Sequence, residues 1–560
     1  TVIAHELAHQ WFGDLVTMKW WDDLWLNESF ANMMEYVAVD AIEPDWHIWE
    51  TFQTSEAPAA LQRDATDGVQ SVHVQVENPA EIDSLFDGAI VYAKGARMLV
   101  MVRALIGDEA LRKGLKQYFE AHQYGNATGA DLWKALGDAS GIDLAAIMTS
   151  WLEQPGYPVV TAAVVDGQLT IAQQQFFIGD GHDENRSWSI PLNSNYDAAP
   201  QILDADRVTL GDYAELRQAA GEPFRLNVGN NSHFIVKYDQ TLLDDILADA
   251  ENLDAISQLQ TLQDLRLLAE GRQISYASVV PLLARFANSQ STVVNVALYR
   301  AAGDLKRFVA PESEAKRQLK ALYDQLSQAE VKRLGWTANV DESIDDQLSR
   351  PVILNAALYA ENAGTILAAH ELFEGQAGHL DALSADVRIL ILRNEVQHFG
   401  NDALFDKLLT AYRQSSDASY KADICAALTS TTDAKLIARL IEAFEDADTV
   451  KPQDLRAWYR GVLSNDAGEQ AAWDWIRNDW AWLEKTVGGD MEFTTYITVT
   501  AGVFRTVERL AEFKAFFEPK LNTPGLTREI TMDTKVIESR VSLIEAEQAA
   551  VNAAVAKAVK

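Results

Sequence analysis

The chain has 560 residues, with 47 Lys and Arg against 82 Asp and Glu, a formal charge of -35 at neutral pH. A field of that sign repels a phosphate backbone and excludes nucleic acid as an expected partner, while the length implies several folded domains rather than one core. The single cysteine, Cys425, excludes an intrachain disulfide and any cysteine-based metal or redox site; with no apolar run approaching the roughly 18–20 residues of a bilayer span, the expectation is a cytoplasmic chain with no membrane partner.

Taken in order, residues 1–156 read as mainly helical. Apolar positions recur at three-to-four spacing in "ESFANMMEYVAV" and "AIVYAKGARMLVMVRALIG", and the region closes at "WLEQPGYPVV", where Pro155, Gly156 and Pro158 mark a change of period. Residues 157–239 read as strands. "VVTAAVVDGQLTIAQQQFF" places Asp166 and Gly167 between two extended runs as a hairpin turn, and "WSIPL", "RVTL" and "HFIVKYD" add short β-rich runs, so a small β-sandwich is expected. Residues 240–560 read as helix after helix, in stretches such as "LDAISQLQTLQDLRLLAEG" and "DALFDKLLTAYRQ", with breaks spaced as in stacked helix pairs. The fold class is multidomain α+β, ending in an all-α, solenoid-like part.

The chemistry concentrates at the start, in "HELAH" from His5 to His9. On a helix, residues four apart share a face, so His5 and His9 can offer two imidazoles to one ion. Glu6 lies beside that line, where its carboxylate can reach a water rather than the metal. A catalytic zinc takes three protein ligands and keeps one position open. Glu28, opening a second amphipathic helix after a loop, is the candidate for the third.

"HELAHQWFGDLVTMKWWDDLWLNESFANMMEY" resembles the zinc signature of the aminopeptidase N family, HExxH followed by eighteen residues and Glu, in wording nearest to members from lactic acid bacteria. "VYAKGARML" is similar to the family's Y-x-K-G segment and "WLEQPGYPVV" to its W-x-x-Q-x-G-[YF]-P-V junction, so the resemblance covers essentially the whole chain. It implies a thermolysin-like catalytic half-domain for residues 1–156. It also implies one zinc ion on His5, His9 and Glu28, with Glu6 as the base for a metal-activated water and Tyr92 as donor to the oxyanion. The implied substrates are peptides with a free N-terminus, whose amine lies near Glu28.

Alternatives that keep the zinc are an endopeptidase or an epoxide hydrolase of the same superfamily. Another is a catalytically incomplete fragment that only binds zinc or peptide. Thr1 precedes His5 by four residues, so an upstream segment of the same polypeptide, carrying the family's G-x-M-E-N amine anchor, is expected as a partner. "GDMEF", Gly489 to Phe493, imitates that anchor but reads as a loop leading into a helix. Trp473, Trp475, Trp480 and Trp482 read as helix-packing core, and His47, His73 and His122 carry no expected role.

Overall fold

Helix α1 (Val2–Ala8) has good helix formers at Ala4, Glu6, Leu7 and Ala8 and ends at His9, which keeps right-handed helical angles. The structure, a computed structural model, describes residues 1–490 and 493–560; Met491 and Glu492, in the middle of the "GDMEF" stretch, lie outside the described residues. After a loop, α2 (Trp25–Ile42) buries Trp25, Phe30, Met33 and Tyr36. Phe12, just past α1, lies flat against Phe30 of α2, with ring centroids 4.4 Å apart and planes 6° from parallel. That contact returns the chain so that the start of α2 faces the end of α1.

A π-helical segment, Gly88–Lys94, runs directly into α3 (Gly95–Ile106). It is held against α2 by Ser29, whose hydroxyl donates to the Val91 carbonyl at 2.5 Å. Gly95 makes this approach possible: a Cβ there would stand 1.9 Å from Ser29 Oγ and 2.7 Å from Ser29 Cβ. The glycine of "YAKG" is thus a packing requirement between two helices.

Strands β1 (Pro158–Val165), β2 (Gln168–Gln175), β3 (Arg207–Asp212) and β4 (Ile235–Tyr238) form one sheet in the order β3-β2-β1-β4. Asp166 and Gly167, at φ 50 and 80, make the two-residue turn between antiparallel β1 and β2, as their sequence implies. β4 pairs with β1 in parallel. Ile190–Pro191 and Ile202–Leu203 make a separate two-stranded pair. Helices α4 (Gln240–Ala248) and α5 (Ala255–Glu270) follow.

The chain divides into two compact units, Thr1–Phe286 and Ala287–Lys560. The first therefore includes the helices from Gln240 to Phe286 as well as the sheet. The second is helical among the described residues and contains α6 (Ala363–Gly375) and α7 (Ala385–Phe399). Its core takes in Trp458, Trp473, Trp475 and Trp480, with Trp482 packed against it. Trp473 and Trp475 still place their indole N–H groups on Glu512 and Glu445, as most buried tryptophans do. Among the described residues no single helix is long and apolar enough to cross a membrane. Ile344–Tyr359 and Ala363–Gly375, bent by 116°, reach that length and composition only as a pair.

Candidate metal centre

His5 and His9 face the same way from the end of α1, with ring centroids 4.9 Å apart. Glu28, in the first turn of α2, meets both. Its Oε2 lies 3.4 Å from His5 Nε2 and 3.5 Å from His9 Nε2. The other nitrogen of each ring is engaged elsewhere: His5 Nδ1 is 3.2 Å from Glu35 Oε2, and His9 Nδ1 donates to the Phe12 carbonyl at 3.0 Å. Both Nε2 lone pairs and one carboxylate oxygen are therefore turned toward a common point.

The donor spacing fits a tetrahedral ion. Ligand atoms about 2.0–2.1 Å from a zinc stand about 3.3–3.4 Å from one another, close to the separations seen here. Electrostatics point the same way. Hydrogen bonding to Glu28, then to Glu35, raises the His5 imidazole to about 9. His9 is raised as well, first by Glu28. Burial works to raise Glu28, yet its contacts with the two histidines hold it down to about 2. The site is arranged to keep positive charge between two imidazoles and a carboxylate, which a divalent cation supplies without borrowing protons.

Glu35 was not among the residues singled out from sequence. It lies seven residues after Glu28, two turns along the same face of α2, and its carboxylate against His5 Nδ1 fixes the tautomer that frees Nε2. Phe12 was equally invisible as a partner, because it contributes a main-chain carbonyl.

Glu6 is exposed on α1 beside the ligand line. Tyr92 stands on the π-helical segment, with its ring stacked 6.1 Å from that of His5. Burial first, then the charge and hydrogen bonding of Glu28 and the charge of Glu6, push its phenol above the ordinary tyrosine range, so it stays a protonated donor. The five residues expected to act together thus lie in one region, two of them set by α1, one by α2 and one by the π-helical segment, with His9 at the end of α1.

Behind Tyr92, Lys94 is fully buried and paired with Asp64 at 2.8 Å. Lys94 Nζ donates to the Gly156 carbonyl at 3.2 Å, and the Gly156 N–H donates to Asp64 Oδ1 at 2.9 Å. Asp64 Oδ2 also lies 2.9 Å from His233 Nε2. Burial pushes His233 down to about 4, leaving a neutral ring beside a true ion pair. "YAKG" and "QPGY" are therefore two halves of one buried polar network that anchors the segment carrying Tyr92.

Of the remaining histidines, His73 Nδ1 meets Glu153 at 3.1 Å and His122 lies 4.0 Å from Asp131, both away from the centre. A second grouping of metal-type ligands, His370, Glu374 and Glu395, occurs in the second unit.

Comparison with known proteins gives the family. Residues 1–151 match the Peptidase family M1 domain, and residues 224–539 match an ERAP1-like C-terminal domain. Aminopeptidase N of Lactobacillus helveticus is 63% identical over 560 residues, covering 100% of this chain and 66% of that protein. Aminopeptidase N of Lactococcus lactis subsp. cremoris (strain MG1363) is 47% identical over 556 residues, 99% of this chain and 66% of that protein. Aminopeptidase M1 of Arabidopsis thaliana is 29% identical over 573 residues, 97% of this chain and 64% of that protein. The chain thus spans 66% of the length of the bacterial relatives.

Proposed function

The chain belongs to the M1 family of peptidases, and on that premise we propose that it is a zinc aminopeptidase, hydrolysing the N-terminal residue from peptides. The observation that carries the proposal is the convergence of His5 Nε2, His9 Nε2 and Glu28 Oε2 at separations that suit one tetrahedral ion. One zinc ion, held by those three residues, would supply Lewis acidity toward a peptide carbonyl and acidify water.

The chain's own groups do the rest. Glu6, exposed beside the ligands, takes the proton of the attacking water and hands it to the leaving amine. Tyr92, kept protonated by burial and by Glu28, donates its hydroxyl to the oxyanion that forms at the carbonyl. Glu28 also offers a negative wall to the free amine of the substrate, which is where exopeptidase selection would arise.

The domain reading belongs to the same proposal: a thermolysin-like part over 1–156, a β-sandwich over 157–239 and a helical, solenoid-like part over 240–560. The helices up to Phe286 group with the sheet, so limited proteolysis would locate the working boundary, either near residue 240 or near residue 287. A cytoplasmic setting is proposed as well, supported by the single, buried cysteine without a disulfide partner.

The test is hydrolysis of leucine, alanine and lysine anilides by the zinc-loaded chain, beside the same peptides carrying an acetylated N-terminus and beside Glu6→Ala. Free-amine substrates should be cleaved, acetylated ones spared, and Glu6→Ala should keep zinc while losing turnover. Equal cleavage of acetylated peptides would make the enzyme an endopeptidase. Bound zinc with no turnover of any free-amine peptide would overturn the proposal, as would full activity in Glu6→Ala.

A further inference from the structure

The first unit holds a cavity of about 490 Å³ distinct from the metal centre, bounded by β4, α4, α5 and the helical run from Tyr276 to Phe286. That volume lies within the range of small-molecule sites, about 300–1,000 Å³. Its wall includes Leu243, Leu247 and Leu268, with Asp244, Asp264, Arg225, Lys237 and Arg285 as charged members; Asp244 accepts from Gln240 at 2.7 Å and Arg225 pairs with Glu222 at 3.3 Å.

Asp264 is the unusual one. It is buried, with one carboxylate oxygen accepting from the Val236 N–H at 3.0 Å and the other from the Gln263 amide at 3.4 Å. Among the described residues it forms no ion pair, although the charge of the buried Arg97 guanidinium reaches it and works to lower it. Asp64, equally buried, has Lys94 at 2.8 Å. A buried carboxylate without a cation is costly, and burial drives Asp264 up to about 7. The complementary oddity is on the same wall. In a chain with 82 acidic and 47 basic residues, Lys237 and Arg285 have no acidic partner among the described residues. Arg285 uses one nitrogen on the Leu247 carbonyl, at 2.7 Å.

A buried acid without an ion-pair partner, two bases without one and an apolar lining in one cavity describe a single ligand class. We propose that this cavity binds a free apolar α-amino acid, with its ammonium group on Asp264, its carboxylate on Arg285 and Lys237, and its side chain among the leucines. The cavity is a second ligand site, and its occupancy does not depend on the aminopeptidase reading.

Isothermal titration of the zinc-loaded chain with leucine and phenylalanine tests the assignment, with N-acetylleucine, 3-methylbutylamine and glycine as probes lacking the ammonium, the carboxylate and the apolar side chain. Leucine should bind, and each of those three should bind at least tenfold more weakly. Asp264→Asn preserves an acceptor for Val236 and should weaken leucine at least tenfold, as should Arg285→Gln, a rim substitution that leaves the core intact. His9→Ala, which dismantles the metal centre, should leave leucine binding in place. The proposal is overturned if no amino acid binds, if N-acetylleucine binds as well as leucine, if Asp264→Asn and Arg285→Gln both bind leucine normally, or if His9→Ala abolishes the signal.

Discussion

The protein contains two helices that begin a turn with His-Glu-Leu. In α1 it is His5-Glu6-Leu7-Ala8-His9, answered by Glu28 from the next helix; in α6 it is His370-Glu371-Leu372-Phe373-Glu374, answered by Glu395 from α7. Both bring three metal-type ligands within 4.8 Å of one another. The difference lies in which atoms are already committed. At the first, Glu35 and the Phe12 carbonyl occupy both Nδ1 atoms, so both Nε2 atoms are left facing Glu28. At the second, His370 gives its Nδ1 to Glu395 itself, at 2.9 Å, and its ring lies flat on Phe399 with centroids 3.9 Å apart. Glu374 is exposed. The second cluster closes as a hydrogen-bonded pair, whereas the first leaves three donors open; supporting contacts separate them as well as the ligand set, two imidazoles and a carboxylate against one imidazole and two carboxylates.

The comparison breaks outright if removing a first-cluster ligand spares the metal. His9→Ala and Glu28→Ala each leave two of three ligands, and bound zinc measured by atomic emission should fall from about one per chain to near zero after dialysis. Activity should vanish with it. Retention of stoichiometric zinc in both variants would place the metal elsewhere. The next largest effect concerns Tyr92, which has no counterpart at the second cluster. Tyr92→Phe removes one hydroxyl from a half-buried ring and should lower kcat by about 10²–10³ while zinc content stays unchanged. A fall confined to KM would assign the tyrosine to substrate binding instead.

Much of this centre could be read from spacing alone. His5, Glu6 and His9 follow from the period of a helix, and Glu28 from the need for a third ligand on an element that returns. Tyr92 entered through family resemblance, because a tyrosine in an apolar helical run has no period that marks it, and the π-helical geometry that turns it toward His5 leaves no sequence trace. Glu35 had a signal, its seven-residue offset from Glu28, but an acidic residue on an amphipathic helix reads first as solvated surface. The Asp166–Gly167 turn was legible because two residues of positive φ demand such a pair. The Lys94, Asp64 and His233 network was not, since Asp64 and His233 are 169 positions apart and only the folded chain brings them together. Asp264 was hidden for the same reason: its oddity is the lack of a neighbour, a property of the fold.

Glu35 offers the sharper test of the lesson about committed atoms. Glu35→Gln keeps an acceptor for His5 Nδ1 but removes the charge that strengthens the ring as a donor, and zinc affinity measured by chelator competition should fall by about 10–100-fold. Unaltered affinity would mean that ligand identity suffices and that the contrast between the two clusters has another cause.

The smallest expected effect is the most direct test of the second cluster. His370→Ala deletes the one imidazole there, together with its contact to Glu395 and its stacking on Phe399. A structural pair at a half-exposed position contributes little, so the melting temperature should stay within about 2 °C of the parent, and zinc per chain, zinc affinity and peptide hydrolysis should be unchanged. A chain that binds two zinc ions and loses one on this substitution would show that the Nδ1 of His370 exchanges Glu395 for a cation. In that case the hydrogen bond seen between them would stand in for a metal, as proposed for the contacts among His5, His9 and Glu28, and the two His-Glu-Leu helices would differ in affinity rather than in kind.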